Sequence, residues 1–167
     1  MNEATLMEPI KERKHRLSDN CYIGYKIVNF TVCINNKNLA FLNKDIVIKF
    51  IQILREVKNE YACKVLLYVF MPNHLHLLVE GKEEKSNLKK MIISFKQKTG
   101  YFLSKNYPNF EWQKDFYDHI LRKDDDLIKH MKYILENPVR RNLSVNWRYF
   151  PFTGSLDLDL DKIMANF

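Results

Sequence analysis

Residues 63–80 read CKVLLYVFMPNHLHLLVE and contain two extended runs from which the fold can be predicted. The first eight residues are mostly aliphatic, β-branched or aromatic, which is typical of a strand, and a second extended run follows from His74 to Glu80. Pro72 and Asn73 separate the two runs and are typical turn residues. We therefore expect two strands that form a hairpin-like pair.

The sequence on either side of this pair alternates between strand and helix patterns. In chain order, the predicted elements are a strand at 22–34, a helix at 44–59 behind Asn43, the strand pair, a helix at 87–106, a strand at 112–121 and a helix that starts at the acidic run 124–126 and ends at Glu136 or Asn137. Residues 147–155 are expected to be irregular. The order predicts an α+β fold, namely a ferredoxin-like split βαβ antiparallel sheet with helices on one face and one added C-terminal helix.

The charge of the chain is positive and unevenly distributed. The 167 residues carry a formal net charge of +7 at pH 7, which favours an anionic partner such as nucleic acid. No repeat or linker divides the chain, so we expect one domain at 17–155. A basic arm at 1–16 and an acidic tail at 156–167 would flank this domain.

Composition excludes several classes of site. The four glycines are too scattered for a phosphate-binding loop of the dinucleotide or P-loop type. The three cysteines show no C-x-x-C spacing and support neither a disulfide framework nor a thiolate zinc site. No apolar run approaches the roughly 20 residues that span a bilayer, and residues 1–9 do not follow the signal-peptide pattern. We therefore expect a cytoplasmic protein without a membrane segment.

The histidines of the second strand are the most informative residues in the sequence. His74 and His76 are two positions apart, so on a strand their side chains share one face. Two imidazoles on one face can clamp a metal ion. The alternative is that both are polar residues of a half-exposed strand, because short motifs often match by chance.

The last predicted helix carries a second pair of polar residues. Its apolar positions form one stripe, which leaves Tyr133 on the opposite side. Asn137 follows four residues later and shares nearly the same azimuth, so a phenol and an amide oxygen can face one site. The alternative is a solvent-facing tyrosine beside an asparagine that ends the helix before Pro138.

These two segments resemble the motifs of a known family. Residues 68–79, YVFMPNHLHLLV, resemble the histidine-hydrophobic-histidine strand of the single-tyrosine HUH transposases in the IS200-like superfamily. Residues 133–139, YILENPV, resemble the Y-I-x-x-N-P-V helix of the branch called REP-associated tyrosine transposases. Similarity extends over residues 13–155, although FPFTGS at 150–155 departs from the usual aromatic-Ser-Ser ending of the family.

The resemblance implies a metal-dependent endonuclease and strand transferase. Such an enzyme cuts single-stranded DNA near hairpin or palindromic repeats through a 5′-phosphotyrosine intermediate. By position, Tyr133 would be the nucleophile, and the ligands of one divalent cation, Mg²⁺ or Mn²⁺, would be His74, His76 and Asn137. Three ligands leave coordination positions open for a phosphate oxygen, as Lewis-acid catalysis requires. The general base stays open between a water on the metal, Lys129 and Glu136.

The expected partner is single-stranded DNA that carries a hairpin or palindrome, bound by a monomer, with a dimer as the alternative. Candidate DNA contacts combine the charge pattern with the family resemblance. They are Arg13, Lys14, Arg16, Lys96, Lys98, His119, Arg122, Arg140 and Arg141. For His119, a structural role is the alternative.

Two other functions compete with this interpretation. A histidine-triad nucleotide hydrolase uses H-x-H-x-H, but Leu78 occupies the position of the third histidine. A catalytically silent protein that only binds repeat DNA would need the basic surface and not the chemistry. All four candidate site residues are present, which argues against loss of activity.

Overall fold

The computed structural model describes residues 17–165 and contains a five-stranded sheet in which every neighbouring pair is antiparallel. The strands lie in the order β4-β1-β3-β2-β5. Their bounds are β1 Ile27–Cys33, β2 Cys63–Met71, β3 His74–Gly81, β4 Tyr117–Ile120 and β5 Thr153–Gly154. The first four strands have the order of a ferredoxin-like sheet, so the predicted fold class is confirmed.

Five helices accompany the sheet: α1 Lys44–Glu60, α2 Leu88–Asn106, α3 Leu127–Leu135, α4 Asn137–Arg140 and α5 Leu160–Ile163. The three longest begin where a side-chain oxygen can accept bonds from backbone N–H groups of the first turn, namely at Asn43, Asn87 and Asp126. Within residues 17–165, no helix combines the length and the apolar character needed to cross a membrane.

The first face of the sheet is covered by α1 and α2. Alternate residues of the strands point to this face, and they include Phe30 and Phe70, both fully buried. Phe50 of α1 packs against Phe70 and against Phe95 of α2, with ring centroids 6.4 and 5.9 Å apart. This aromatic layer holds the two long helices on the sheet.

The opposite face of the sheet is covered by α3 and by the C-terminal segment. Met131, Ile134 and Leu135 of α3 are buried with Met164 against the strand residues of this face. Those strand residues are Leu66, Leu67, Val69, Met71 and Leu78. The added helix therefore packs on the sheet of its own chain, across from α1 and α2.

Several predicted boundaries differ from the structure. The first strand begins at Ile27, because a 3₁₀ turn at Asp19–Tyr22 and Gly24, with φ of +85°, precede it. The 112–121 strand shrinks to β4, and Trp112 contributes only an isolated bridge. The irregular segment 147–155 contains β5, which pairs with β2. A Cβ at Gly154 would overlap the Tyr68 hydroxyl, so glycine lets the Tyr68 side chain lie against this strand.

The predicted acidic tail is packed onto the domain as far as residue 165. Asp157 accepts a hydrogen bond from the Val65 amide at 2.7 Å and pairs with Lys58 at 2.8 Å. Met164 is buried. These contacts attach the segment that follows residue 155 to β2 and α1. The predicted basic arm at 1–16 lies outside the described residues.

Candidate active site

The two candidate ligands on β3 share the face that α3 covers. Leu75 and Leu77 point into the α1–α2 layer, so His74 and His76 point to the other side, as predicted. Their rings are perpendicular, with centroids 4.9 Å apart. The two Nε2 atoms lie 3.2 Å from each other. The Nε2 atoms of both imidazoles are therefore directed at the same small region between the two rings.

The outer nitrogen of each ring has a hydrogen-bond partner. Asn73 Oδ1 lies 2.7 Å from His74 Nδ1. Because an amide oxygen only accepts, His74 carries its proton on Nδ1 and its Nε2 has a free lone pair. Thr31 Oγ1 lies 3.1 Å from His76 Nδ1. A hydroxyl donates or accepts, so His76 can adopt either neutral tautomer.

This arrangement fits a cation. When His76, like His74, carries its proton on Nδ1, two Nε2 lone pairs face each other, and a cation between them turns this repulsion into attraction. In the other tautomer of His76, its Nε2–H donates to His74 Nε2. Second-side hydrogen bonds of this kind orient histidine ligands and select the tautomer that binds metal. His74 and His76 are therefore suited to holding a divalent ion at the point where their Nε2 atoms meet.

The surroundings keep both imidazoles neutral. Burial, with a smaller contribution from the Arg141 guanidinium, lowers the pKa of His74 to about 4. Burial also lowers the pKa of His76 to about 3, with further contributions from His74, Arg140, Arg141 and His130. A neutral imidazole is the form that ligates metal, so at pH 7 protons do not compete for the site.

These pKa values predict that acid destabilises the metal-free protein. The folded pKa values lie below the ordinary value of 6.5, so the unfolded chain binds more protons once the pH falls below about 6.5. The contribution of the two histidines to the free energy of unfolding is therefore fully present above that pH. It is lost as the pH falls towards 3–4, with a slope of up to about 1.4 kcal/mol per pH unit for each histidine.

The measurement is urea unfolding in EDTA between pH 7.5 and 4. Carboxylates also lose stabilising interactions in acid, so the matched control is the H74Q/H76Q double variant. Its stability should fall less steeply over the same range. Equal slopes for the variant and the wild type would contradict the assignment of these pKa values.

The candidate amide ligand lies at the junction of α3 and α4. Pro138 has no N–H, so the carbonyl of Ile134 loses the partner that a continuous helix would provide. Asn137 Nδ2 donates to that carbonyl at 3.1 Å. The bond fixes the amide, and none of residues 17–165 donates to its Oδ1. The predicted helix end is thus a kink, after which the chain continues as α4.

The candidate nucleophile is exposed, as the stripe of α3 predicted. The Tyr133 side chain is 63% exposed. The Arg140 guanidinium stacks on its ring, with Cζ 4.0 Å from the centroid, and Nη2 donates to the Tyr133 carbonyl at 2.7 Å. The tyrosine is therefore accessible to a large substrate while one face of its ring is covered.

The fold brings the helix junction to the histidine pair. Val69 and Met71 are the β2 neighbours of His76 and His74, and both pack against α3. The charges of Arg140 and Arg141, at the end of the α4 segment, act on the imidazoles. Leu78, at the position of a third histidine, is buried under α3, which disfavours the nucleotide hydrolase.

Two of the predicted DNA contacts are placed elsewhere. Lys96 Nζ donates to the carbonyls of residues 113, 114 and 115 at 2.7, 3.0 and 3.1 Å. These bonds use all three ammonium donors. Lys98 pairs with Glu60 at 3.0 Å. Both lysines belong to α2, across the sheet from the histidines, so the structure removes them from the candidate site.

The other predicted contacts divide into three groups. Arg140 and Arg141 lie close enough for their charges to lower the pKa of a candidate histidine ligand. His119 of β4 stacks on His130 of α3, with centroids 5.8 Å apart, on the same face of the sheet, and exposed Arg122 follows β4. Arg13, Lys14 and Arg16 lie outside the described residues.

Sequence reasoning missed two residues that orient the imidazoles. Asn73 was assigned only to a turn, although its position directly before His74 is a usable signal. Thr31 lies opposite His76 because of the β1–β3 register. No local pattern in the sequence shows that register, since the two residues are 45 positions apart.

Comparison with known proteins decides the family. The family model described as Transposase IS200 like matches residues 23–137 of this chain. The chain belongs to the IS200-like transposases. This matched range contains β1 to α3 together with all four candidate site residues.

Individual relatives agree with this assignment. A protein of Haemophilus influenzae described as a REP-associated tyrosine transposase is 26% identical over 137 residues, covering 74% of this transposase and 77% of the relative. A solved REP-associated tyrosine transposase bound to a REP hairpin superposes with a TM-score of 0.71 at 22% identity, over 85% of this chain and 82% of that one. The resemblance to the REP-associated branch is confirmed.

A second solved structure shares the fold at lower similarity. It is a transposase candidate from Deinococcus radiodurans, with a TM-score of 0.51 and 12% identity. The superposition covers 78% of this chain and 95% of that one. At this identity the comparison supports the architecture alone.

Proposed function

We propose that this transposase is a metal-dependent endonuclease and strand transferase that acts on single-stranded DNA. The observation that carries the proposal is the pair of Nε2 atoms 3.2 Å apart, each turned inward by a hydrogen bond on the other side of its ring. Together with the free Oδ1 of Asn137, they offer one divalent cation, Mg²⁺ or Mn²⁺, two imidazoles and an amide oxygen. When bound, the cation would supply Lewis-acid stabilisation of the charge on the scissile phosphate.

Tyr133 would perform the chemical step. Its phenol gives up its proton to a base, its oxygen attacks the scissile phosphorus, and the bond from phosphorus to the 3′ oxygen of the upstream nucleotide breaks. That oxygen takes up a proton and leaves as a 3′-hydroxyl, while the phosphate stays joined to Tyr133 and to the 5′ carbon of the downstream strand. The covalent intermediate preserves the energy of the phosphodiester, so the reverse attack by a 3′-hydroxyl rejoins DNA without a nucleotide cofactor.

The proposed partner is a DNA hairpin with a single-stranded flank. The solved relative is bound to a REP hairpin, and this chain carries a net charge of +7. Arg141 is exposed beside the histidines, and no described carboxylate lies within ion-pair distance of it. A guanidinium that has no carboxylate partner among residues 17–165, and whose charge acts on a proposed ligand, is suited to a DNA phosphate.

The protein is proposed to act as a monomer. Met131, Ile134 and Leu135 bury α3 against the sheet of the same chain. The helix that carries Tyr133 therefore covers the face of its own sheet from which the histidines project, so an exchange of helices between two copies would not be needed to complete the site.

Electrophoretic mobility shifts would test the DNA partner. We expect the hairpin with a single-stranded flank to bind best, an unstructured strand of equal length less well, and a plain duplex worst, because a flexible strand can bend a phosphate into the site. Affinity should fall with salt, with a log-log slope of about 0.7 per phosphate contact on a single strand. Replacing Arg13 and Arg16 by glutamine should weaken binding. A preference for duplex, or affinity indifferent to salt, would refute the proposal.

A further inference from the structure

We propose that Arg140 is a positioning residue that holds the Tyr133 ring in the orientation required for attack. The proposal rests on the proposed function, since it assigns a role toward the candidate nucleophile. In the sequence, Arg140 is only one of several cations at a basic helix end, and it was predicted as a DNA contact. Its observed contacts are with the tyrosine.

Three contacts tie the Arg140 guanidinium to α3. Its Cζ lies over the Tyr133 ring, 4.0 Å from the centroid, and Nη2 donates to the Tyr133 carbonyl at 2.7 Å. Nη1 lies 3.9 Å from Glu136 Oε2. A planar guanidinium can stack and donate hydrogen bonds at the same time, whereas an ammonium cannot. Arg140 therefore contacts both the ring of Tyr133 and the backbone of the helix that carries it.

The tyrosine has little else to hold it. Its side chain is 63% exposed, and no described residue forms a hydrogen bond with its hydroxyl. A side chain in this situation samples several rotamers. An attacking oxygen must align with the phosphorus and the leaving oxygen, so rotation of the ring away from this line lowers the rate without changing how DNA binds.

The junction between α3 and α4 separates Arg140 from Tyr133. Arg140 follows Tyr133 by seven residues, which is two helical turns, so both project to one side. The bond from Asn137 Nδ2 to the Ile134 carbonyl stabilises this junction. The hydrogen bond from Arg140 to the Tyr133 carbonyl therefore spans a junction that is itself held in place.

The experiment compares three variants of the full chain. R140Q removes the stack and the charge, and R140K keeps the charge without the planar stack. R148Q is the matched control, because Arg148 also stacks on an aromatic ring, Trp147, at 4.4 Å and its replacement changes the net charge equally. Rates of covalent adduct formation are measured in single turnover with Mn²⁺ at saturating hairpin DNA, beside the Kd for DNA and the melting temperature.

We expect R140Q to slow adduct formation by about 10- to 100-fold at saturating DNA. R140K should lie between R140Q and the wild type, and R148Q should stay within about twofold of the wild type by the same argument. Melting temperatures should be similar. A rate unchanged in R140Q, or a loss confined to the Kd, would overturn the proposal, because the latter is the behaviour of a simple phosphate contact.

A second readout separates this proposal from the proposed function. In protein with ¹³C-labelled tyrosine rings, the Tyr133 signals are assigned by their absence in Y133F. We expect them to shift and sharpen in R140Q as the ring is released, and to stay in place in R148Q. Wild-type protein that forms no adduct would defeat the proposed function, whereas Tyr133 signals indifferent to R140Q would defeat the positioning role alone.

Discussion

Tyr133→Phe is expected to abolish covalent adduct formation and DNA cleavage. The substitution removes only the attacking oxygen. The side chain is 63% exposed and its hydroxyl has no described partner, so neither the fold nor the melting temperature should change. The ring that Arg140 covers remains. DNA affinity should therefore stay within about twofold, because the lost interaction belongs to the chemical step and not to binding.

The measurement uses hairpin DNA labelled at its 3′ end, since the downstream strand is the one that stays joined to the protein. Adduct is detected as label that migrates with denatured protein in the presence of Mn²⁺. Tyr101→Phe is the matched control, because Tyr101 is 67% exposed and also has a cation, Lys105, over its ring at 5.5 Å. Adduct in the Tyr133 variant that maps to Tyr101 or Tyr117 would show that the nucleophile is misassigned.

Replacing either histidine by alanine is expected to remove most of the Mn²⁺ affinity. Loss of an outer-sphere partner typically costs 10- to 100-fold, and loss of a direct ligand from a site with only three should exceed about 100-fold. Asn137→Ala should be milder, because the imidazoles remain and an amide oxygen is the weaker donor. Titration calorimetry in the absence of DNA measures the affinity directly.

The control for this series is His119→Ala, which removes an exposed imidazole of the same face that is not directed at the site. Its Mn²⁺ affinity should match that of the wild type. Equal Mn²⁺ binding by the wild type and by His76→Ala would refute the metal site. A loss of binding in all variants, His119→Ala included, would indicate general damage to the face of the sheet.

Local signals in the sequence determined most of the architecture. The boundaries of α1 and α2 were predicted to within about one residue, because a capping asparagine and apolar positions at helical spacing mark them. The strand pair 63–80 was predicted in the same way. The two-residue period of a strand also places His74 and His76 on one face, and the helical period places Tyr133 outside the core.

The tertiary structure decided which surfaces meet. The pairing of β5 with β2 joins a two-residue strand to a segment more than 80 positions earlier, and two residues have no periodicity to detect. The carbonyls that capture Lys96 lie 17 to 19 positions away. A lysine side chain looks equally basic whether it faces DNA or is held by the backbone, so composition alone does not show that Lys96 bonds to these carbonyls.

In the candidate site, too, some residues were predicted from local sequence and others are known only from the tertiary structure. The four predicted site residues form two pairs, His74 with His76 and Tyr133 with Asn137. The two-residue period of a strand and the 3.6-residue period of a helix place the members of each pair on one side, so local sequence is enough to predict them. Local periods do not predict the residues that orient them. Thr31 reaches His76 through the β1–β3 register, and Arg140 reaches Tyr133 across a kinked helix junction. Such contacts depend on side-chain direction and on pairing between distant segments, and these are determined only when the whole chain folds.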